Sequence, residues 1–196
     1  IPLHLSTTIT RIHGKERVQA VSVAQVDEMR QRIPGTERRV PCDTLLLSVG
    51  LIPENELSLG AQIHMEPRTQ GAGVDDIFMS SIPGVFSCGN VLHVHDLVDH
   101  VSEEARQAGE FAAKYLQGEV TPPSSTVTIE PGEGVRYVLP QKVSGMRDFT
   151  LSLRVTEPSR NRAVWVRDRD RKVARKKIIR LHPAEMIRIP IKAEKF

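Results

Sequence analysis

Apolar and polar residues alternate along Leu3–Ile12, with Leu3, Leu5 and Ile9 on one side, and again along Arg17–Val26 at Val18, Ala20 and Val23. A period of two with β-branched residues predicts two strands, and His13-Gly14-Lys15 predicts the turn between them. Pro34-Gly35 marks a second turn inside the polar stretch Arg30–Arg39, and Arg39–Pro41 reads as a short edge strand. Cys42–Val49 and Val85–Cys88 are largely apolar runs, each followed by a glycine (Gly50, Gly89), and both predict buried strands. Pro53–Leu57 predicts a turn or one helical turn, and the segment up to Ser81 predicts loop with short strands. The period changes over Val98–Gln117, where Val101, Ala105, Ala108, Ala112 and then Tyr115 or Leu116 recur three and four apart. That spacing predicts a helix. Ala105, Ala108, Gly109, Ala112 and Ala113 predict a thin face suited to close packing. Asp96, Asp99 and Ser102 are alternative N-caps, and Gly118 is the stop.

Beyond Thr121–Ser125 the pattern shortens. Val127–Ile129, Val135–Leu139, Phe149–Val155, Ala163–Val166, Val173–Ile179 and Met186–Ile191 are brief strand-like runs separated by turn residues. Phe149, Leu151, Leu153 and Val155 alternate cleanly. The expected class is α+β, mainly β. Residues 1–120 form strands plus one main helix, 121–126 a linker, and 127–196 a small all-β domain of sandwich or barrel type.

Charge divides unevenly. From residue 151 onward there are fourteen Lys or Arg against five Asp or Glu, a balance of +9 in a chain of net +3, which leaves −6 for residues 1–150. A basic tail can attract acidic partners, membranes or nucleic acid. Its plain reading is a solvated strand face. Aromatic residues make up only 4% of the chain, which argues against a base-stacking platform and hence against a nucleic-acid partner. The two cysteines, Cys42 and Cys88, form no C-x-x-C pair and fit a reducing, cytoplasmic setting. No apolar run approaches the roughly 20 residues of a membrane-spanning helix.

The most informative stretch is Ile82-Pro83-Gly84-Val85-Phe86-Ser87-Cys88-Gly89-Asn90-Val91. A strand ending in glycine brings backbone close to a ligand, and open sheets bind ligands at the strands' carboxyl ends. With the second glycine-terminated run, Cys42–Pro53, this stretch resembles the closing part of the pyridine-nucleotide-dependent FAD oxidoreductases with two dinucleotide folds. In that family an Asp after the glycine reaches a ribityl hydroxyl of FAD, and the following helix points its amino end at the flavin. Asn90 stands where Asp is usual, and an amide can make the same hydrogen bond. The resemblance implies FAD and NAD(P) as cofactors and cofactor contacts from Gly89, Asn90 and Val91, then Ser102 and Glu103. The form Gly89–Glu104 (GNVLHVHDLVDHVSEE) is similar to a bacterial subgroup accompanying glycerol-3-phosphate dehydrogenase-like subunits. A dehydrogenase subunit or a second copy of the chain is the implied partner.

The resemblance further implies hydride transfer between nicotinamide and flavin, with electrons passed to a substrate or partner subunit. Other readings are a subunit of an amino-acid or cyanide-forming dehydrogenase complex, and a non-catalytic interaction module with a basic β-domain. The family's G-x-G-x-x-G turns are not found. Gly71-Ala72-Gly73 follows no strand and opens no helix, so it reads as loop. The chain accordingly reads as a carboxy-terminal piece that alone binds neither cofactor tightly.

His93, His95, Asp96, Asp99 and His100 superficially resemble the H-x-H-x-D-H motif of metallo-β-lactamase-like hydrolases. Leu97 and Val98 occupy the positions where Asp and His would be needed. The expectation is polar lining of a cofactor or subunit cleft, with one histidine as a possible proton relay and no metal. Glu103 and Glu104 read as ordinary first-turn acids, and both cysteines as structural. No catalytic acid or base is assigned.

Overall fold

The computed structural model describes residues 2–195. It is α+β and mainly β, with twelve strands and two α-helices among the described residues. The chain divides into two compact units, Ile1–Gly50 and Leu51–Phe196.

The first unit is an antiparallel meander of β1 (Thr7–His13), β2 (Ala20–Gln25) and β3 (Arg38–Pro41) in the order β1-β2-β3. Ala20, Val21 and Ala24 of the central strand are buried. The strand expected over Cys42–Val49 does not form. The β2–β3 ladder ends at Ala20↔Pro41, and beyond it no further strand pairs with the run. Leu46 is 89% exposed and Val49 87%. An apolar strand without ladder partners has neither backbone hydrogen bonds nor a covered face to hold it.

In the second unit, α1 (Glu56–Gly60) precedes a two-residue ribbon of β4 (Met65–Glu66) and β5 (Gly71–Ala72). Gly71-Ala72, expected as loop, is therefore a short strand. Val85–Cys88, expected as a buried strand, makes only a single bridge, Met79↔Phe86, and Val85 is 37% exposed. A 3-10 turn at Gly89–Val91 follows, and then α2 (Val98–Leu116). Gly118, with φ +75°, closes α2 as its amide bonds the Tyr115 carbonyl.

The remaining strands are β6 (Val127–Thr128), β7 (Val135–Leu139), β8 (Lys142–Val143), β9 (Phe149–Val155), β10 (Ser159–Asp168), β11 (Arg171–Leu181) and β12 (Ile187–Ile191). Of these, β12, β9 and β7 form an antiparallel sheet with β9 central. Phe149, Leu151, Leu153 and Val155 share a core with Ile187, Ile189 and Ile191 of β12 and with Val173 and Leu181 of β11. Each such apolar side chain contributes about 1.5–3 kcal/mol on burial. The alternate β9 residues Ser152 and Arg154 are also buried, and Arg154 reaches back to the loop ahead of α2. The β10–β11 ribbon concentrates the basic charge, with ten Lys or Arg and two Asp over residues 159–181.

Candidate functional site

The site grows from the Gly89 turn. Gly89 is buried with φ +73°, a conformation costly for any residue with a Cβ. Its carbonyl accepts from the amides of Leu92 (2.9 Å) and His93 (3.2 Å), so the chain doubles back at once. Its own amide donates to Glu104 Oε1 at 2.6 Å. Asn90 Oδ1 accepts from the His95 amide at 3.1 Å, and the Asn90 amide nitrogen has no partner among the described residues. The Val91 carbonyl accepts from Asn55 Nδ2 at 2.7 Å, and the same nitrogen donates to the Gln70 carbonyl at 2.9 Å. Asn55 thus pins the turn to the loop before β5. Gly71 completes the support, because a Cβ there would lie 1.9 Å from the Leu92 carbonyl oxygen.

Glu104 is the centre of this arrangement. It sits on the inner stripe of α2, and its Oε2 lies 3.0 Å from His93 Nε2 and 3.2 Å from His95 Nε2. The His93, His95 and Glu104 side chains are 1%, 3% and 8% exposed. Burial alone would push the Glu104 carboxyl up, yet the hydrogen bonds from the two imidazoles hold it at about 2. Burial lowers His93, against the hydrogen bond to Glu104, and keeps that ring neutral. An ionised carboxylate only accepts, so a neutral His93 carries its proton on Nε2. The Nδ1 atoms of His93 and His95 are buried without a hydrogen-bond partner.

The expected His/Asp cluster is therefore split. His93 and His95 turn onto Glu104. Asp96 turns the other way, binding the Arg154 guanidinium and accepting from the Met186 amide at 2.6 Å. Arg154 also donates to the Val94 carbonyl (2.9 Å) and the Tyr137 hydroxyl (3.1 Å). Asp99 is exposed, and His100 is half-buried with its Nδ1 unpaired. None of the three expected N-caps is used. Leu97 is the N-cap and, being aliphatic, makes no side-chain cap bond, while Asp96 is committed to Arg154. The amino end of α2 is thus uncapped by side chains, with Leu97 and Val98 exposed.

Of the five residues expected to touch cofactor, Gly89, Asn90 and Val91 form one turn. Ser102 and Glu103 lie one helical turn into α2, where Ser102 is exposed. Glu103 accepts from Arg106 at 2.9 Å and Gln107 at 2.5 Å, hydrogen bonds that hold its carboxyl at about 2. The expected thin face is displaced. Ala108 is buried, but Ala105, Gly109 and Ala113 face outward, and Glu104 sits at the centre of the inner stripe. Cys42 and Cys88 are free. Burial and then the nearby Glu104 charge push the Cys88 thiol up, the opposite of an activated nucleophile.

The profile of the family described as "Pyridine nucleotide-disulphide oxidoreductase" matches residues 1–110, more than half of the chain. The chain belongs to this family. A ferredoxin–NADP reductase of Leuconostoc mesenteroides subsp. mesenteroides is 30% identical over 96 residues, covering 46% of this chain and 29% of that relative. A probable ferredoxin reductase, CtmF, of Castellaniella defragrans is 30% identical over 94 residues, covering 44% of this chain and 22% of that one. The chain thus spans less than a third of the length of these family relatives. A thioredoxin reductase from Gloeobacter violaceus superposes with a TM-score of 0.33 at 21% identity, over 61% of this chain and 36% of that one. No helix among the described residues is long and apolar enough to cross a membrane.

FAD and NAD(P) binding belongs to the family, and three features of the turn remain available to a ligand. These are a left-handed glycine, an unpartnered Asn90 amide and an uncapped helix amino end. The Gly89 amide itself is committed to Glu104.

Proposed function

We propose that this chain is part of an FAD-dependent, NAD(P)-linked oxidoreductase in which the Gly89–Val91 turn and the amino end of α2 hold the flavin. The supporting observation is the turn itself, a buried Gly89 at φ +73° locked to Glu104 and followed by an Asn90 amide free to bond a ribityl hydroxyl. The flavin would supply the hydride-accepting chemistry. The chain's residues would position it, and the helix amino end would favour negative charge on its reduced form. Electrons would pass onward to a substrate or a partner subunit, for which a glycerol-3-phosphate dehydrogenase-like protein is the leading candidate by resemblance.

The β10–β11 ribbon favours docking to an acidic protein. Arg160 pairs opposite Arg180 and Arg167 opposite Lys172, like charges that an acidic surface would relieve. Three cations (Arg167, Lys172 and Arg175) lie within 6 Å of the Trp165 ring centre, which leaves little free ring face for a base. The full-length protein should purify yellow and lose its flavin absorbance on anaerobic addition of NADH or NADPH. A colourless protein that fails to take up added FAD would defeat the proposal.

A further inference from the structure

We infer that His93, His95 and Glu104 form a binding site for a divalent transition-metal ion, with Zn²⁺ the best match. The three ligand atoms lie within 4.8 Å of one another. The two N···O separations, 3.0 and 3.2 Å, fall a few tenths short of the roughly 3.3–3.5 Å edge of a tetrahedral zinc shell, so a small spreading admits the ion. Two imidazoles and one carboxylate select zinc-like ions over magnesium or calcium, which prefer oxygen alone.

The geometry is held from outside. The Gly89 amide fixes the second oxygen of Glu104, and the His93 ring packs edge-on against His95 and Tyr137. Glu104 also lines a cleft of about 330 Å³ beside α2, which neither imidazole lines. Coordination through Nε2 puts each imidazole proton on Nδ1. Those Nδ1 atoms have no acceptor among the described residues. Missing outer partners typically cost 10–100-fold in affinity, so binding should be on the order of micromolar rather than that of a structural zinc finger.

The inference does not depend on flavin binding. The test is equilibrium dialysis of the full-length protein against Zn²⁺ after chelator treatment, with bound metal measured by mass spectrometry. Wild type and the surface control His4→Ala should hold one more equivalent than His95→Ala or Glu104→Gln. X-ray absorption at the zinc edge of the wild-type protein should show scattering from two imidazoles, a readout that needs no variant to fold. Equal zinc content in wild type and folded variants, or a wild-type spectrum lacking the imidazole pair, would overturn the assignment.

Discussion

The amide of Gly89 and the carboxylate of Glu104 are joined at 2.6 Å across fifteen residues, inside the protein, between a glycine turn and the helix that follows it. Glu104 accepts from three donors at once, so removing it strands a backbone amide and two imidazoles. Breaking such a buried charged network costs about 3–5 kcal/mol. Glu104→Ala should therefore lower the thermal midpoint of metal-free protein by several degrees, and Glu104→Gln, which keeps an acceptor in place, by less. Thermal unfolding of the two variants side by side checks the order.

The same network predicts acid sensitivity with a definite sign. His93 is lowered from its ordinary 6.5, so the unfolded chain binds its proton first and stability declines as pH falls below 6.5. Glu104 is lowered from 4.5 to about 2, so its stabilisation is full above the ordinary range and is lost as pH falls from about 4.5 towards 2. Denaturant midpoints of chelator-treated protein should drop in both windows. His93→Gln should flatten the upper decline, and Glu104→Gln the lower.

Gly71→Ala tests the support beneath the turn. The added methyl would meet the Leu92 backbone at 1.9 Å, and backbone cannot swing aside as a side-chain tip can. Overpacking of this kind costs about 1–3 kcal/mol. Because Leu92 precedes His93, the change should disturb the imidazoles as well, visible as altered His93 and His95 ring resonances. Gly35→Ala is the comparison, since no atom lies within 4 Å of a Cβ there and only its φ of +78° resists substitution.

Arg154 and Asp96 tie the loop before α2 to the central strand of the C-terminal sheet. A double-mutant cycle with Arg154→Met and Asp96→Asn should return a coupling of about 1–3 kcal/mol, because the Arg154 side chain is only 11% exposed. A coupling near zero would mean that the loop is held by the Arg154–Val94 and Met186–Asp96 hydrogen bonds instead.

Where local pattern decides structure, the sequence was readable. The strands Val135–Leu139 and Phe149–Val155 lie where alternation puts them, and α2 ends one residue short of its expected limit. The missing strand has a physical cause. Cys42–Val49 is apolar enough for a buried strand, but a strand needs a partner, and hydropathy does not name one. At the site, the turn at Gly89–Val91 was legible from the glycine that ends the apolar run, and its cofactor contacts belong to the proposal. Glu104 was not legible, because first-turn acids are commonplace on helices. The available signal was its phase, since Glu104 falls between Val101 and Ala108 on the stripe that must turn inward. A charge there needs partners, and the nearby His93 and His95 supply them.

Asn90 provides the sharpest test of the cofactor site. Its Oδ1 already accepts the His95 amide, which orients the side chain and leaves one amide group for a ligand. Asn90→Asp preserves the acceptor for His95 and offers a carboxylate oxygen to a ribityl hydroxyl, so the full-length variant should keep its flavin. Asn90→Leu removes both functions. Losing one neutral hydrogen bond corresponds to about 0.5–1.5 kcal/mol, or roughly 2–10-fold in affinity. Release of the His95 backbone should add to that loss by loosening the turn. Flavin retention measured by ultrafiltration should therefore rank wild type and Asn90→Asp together, well above Asn90→Leu. Equal retention by all three would move the flavin away from this turn.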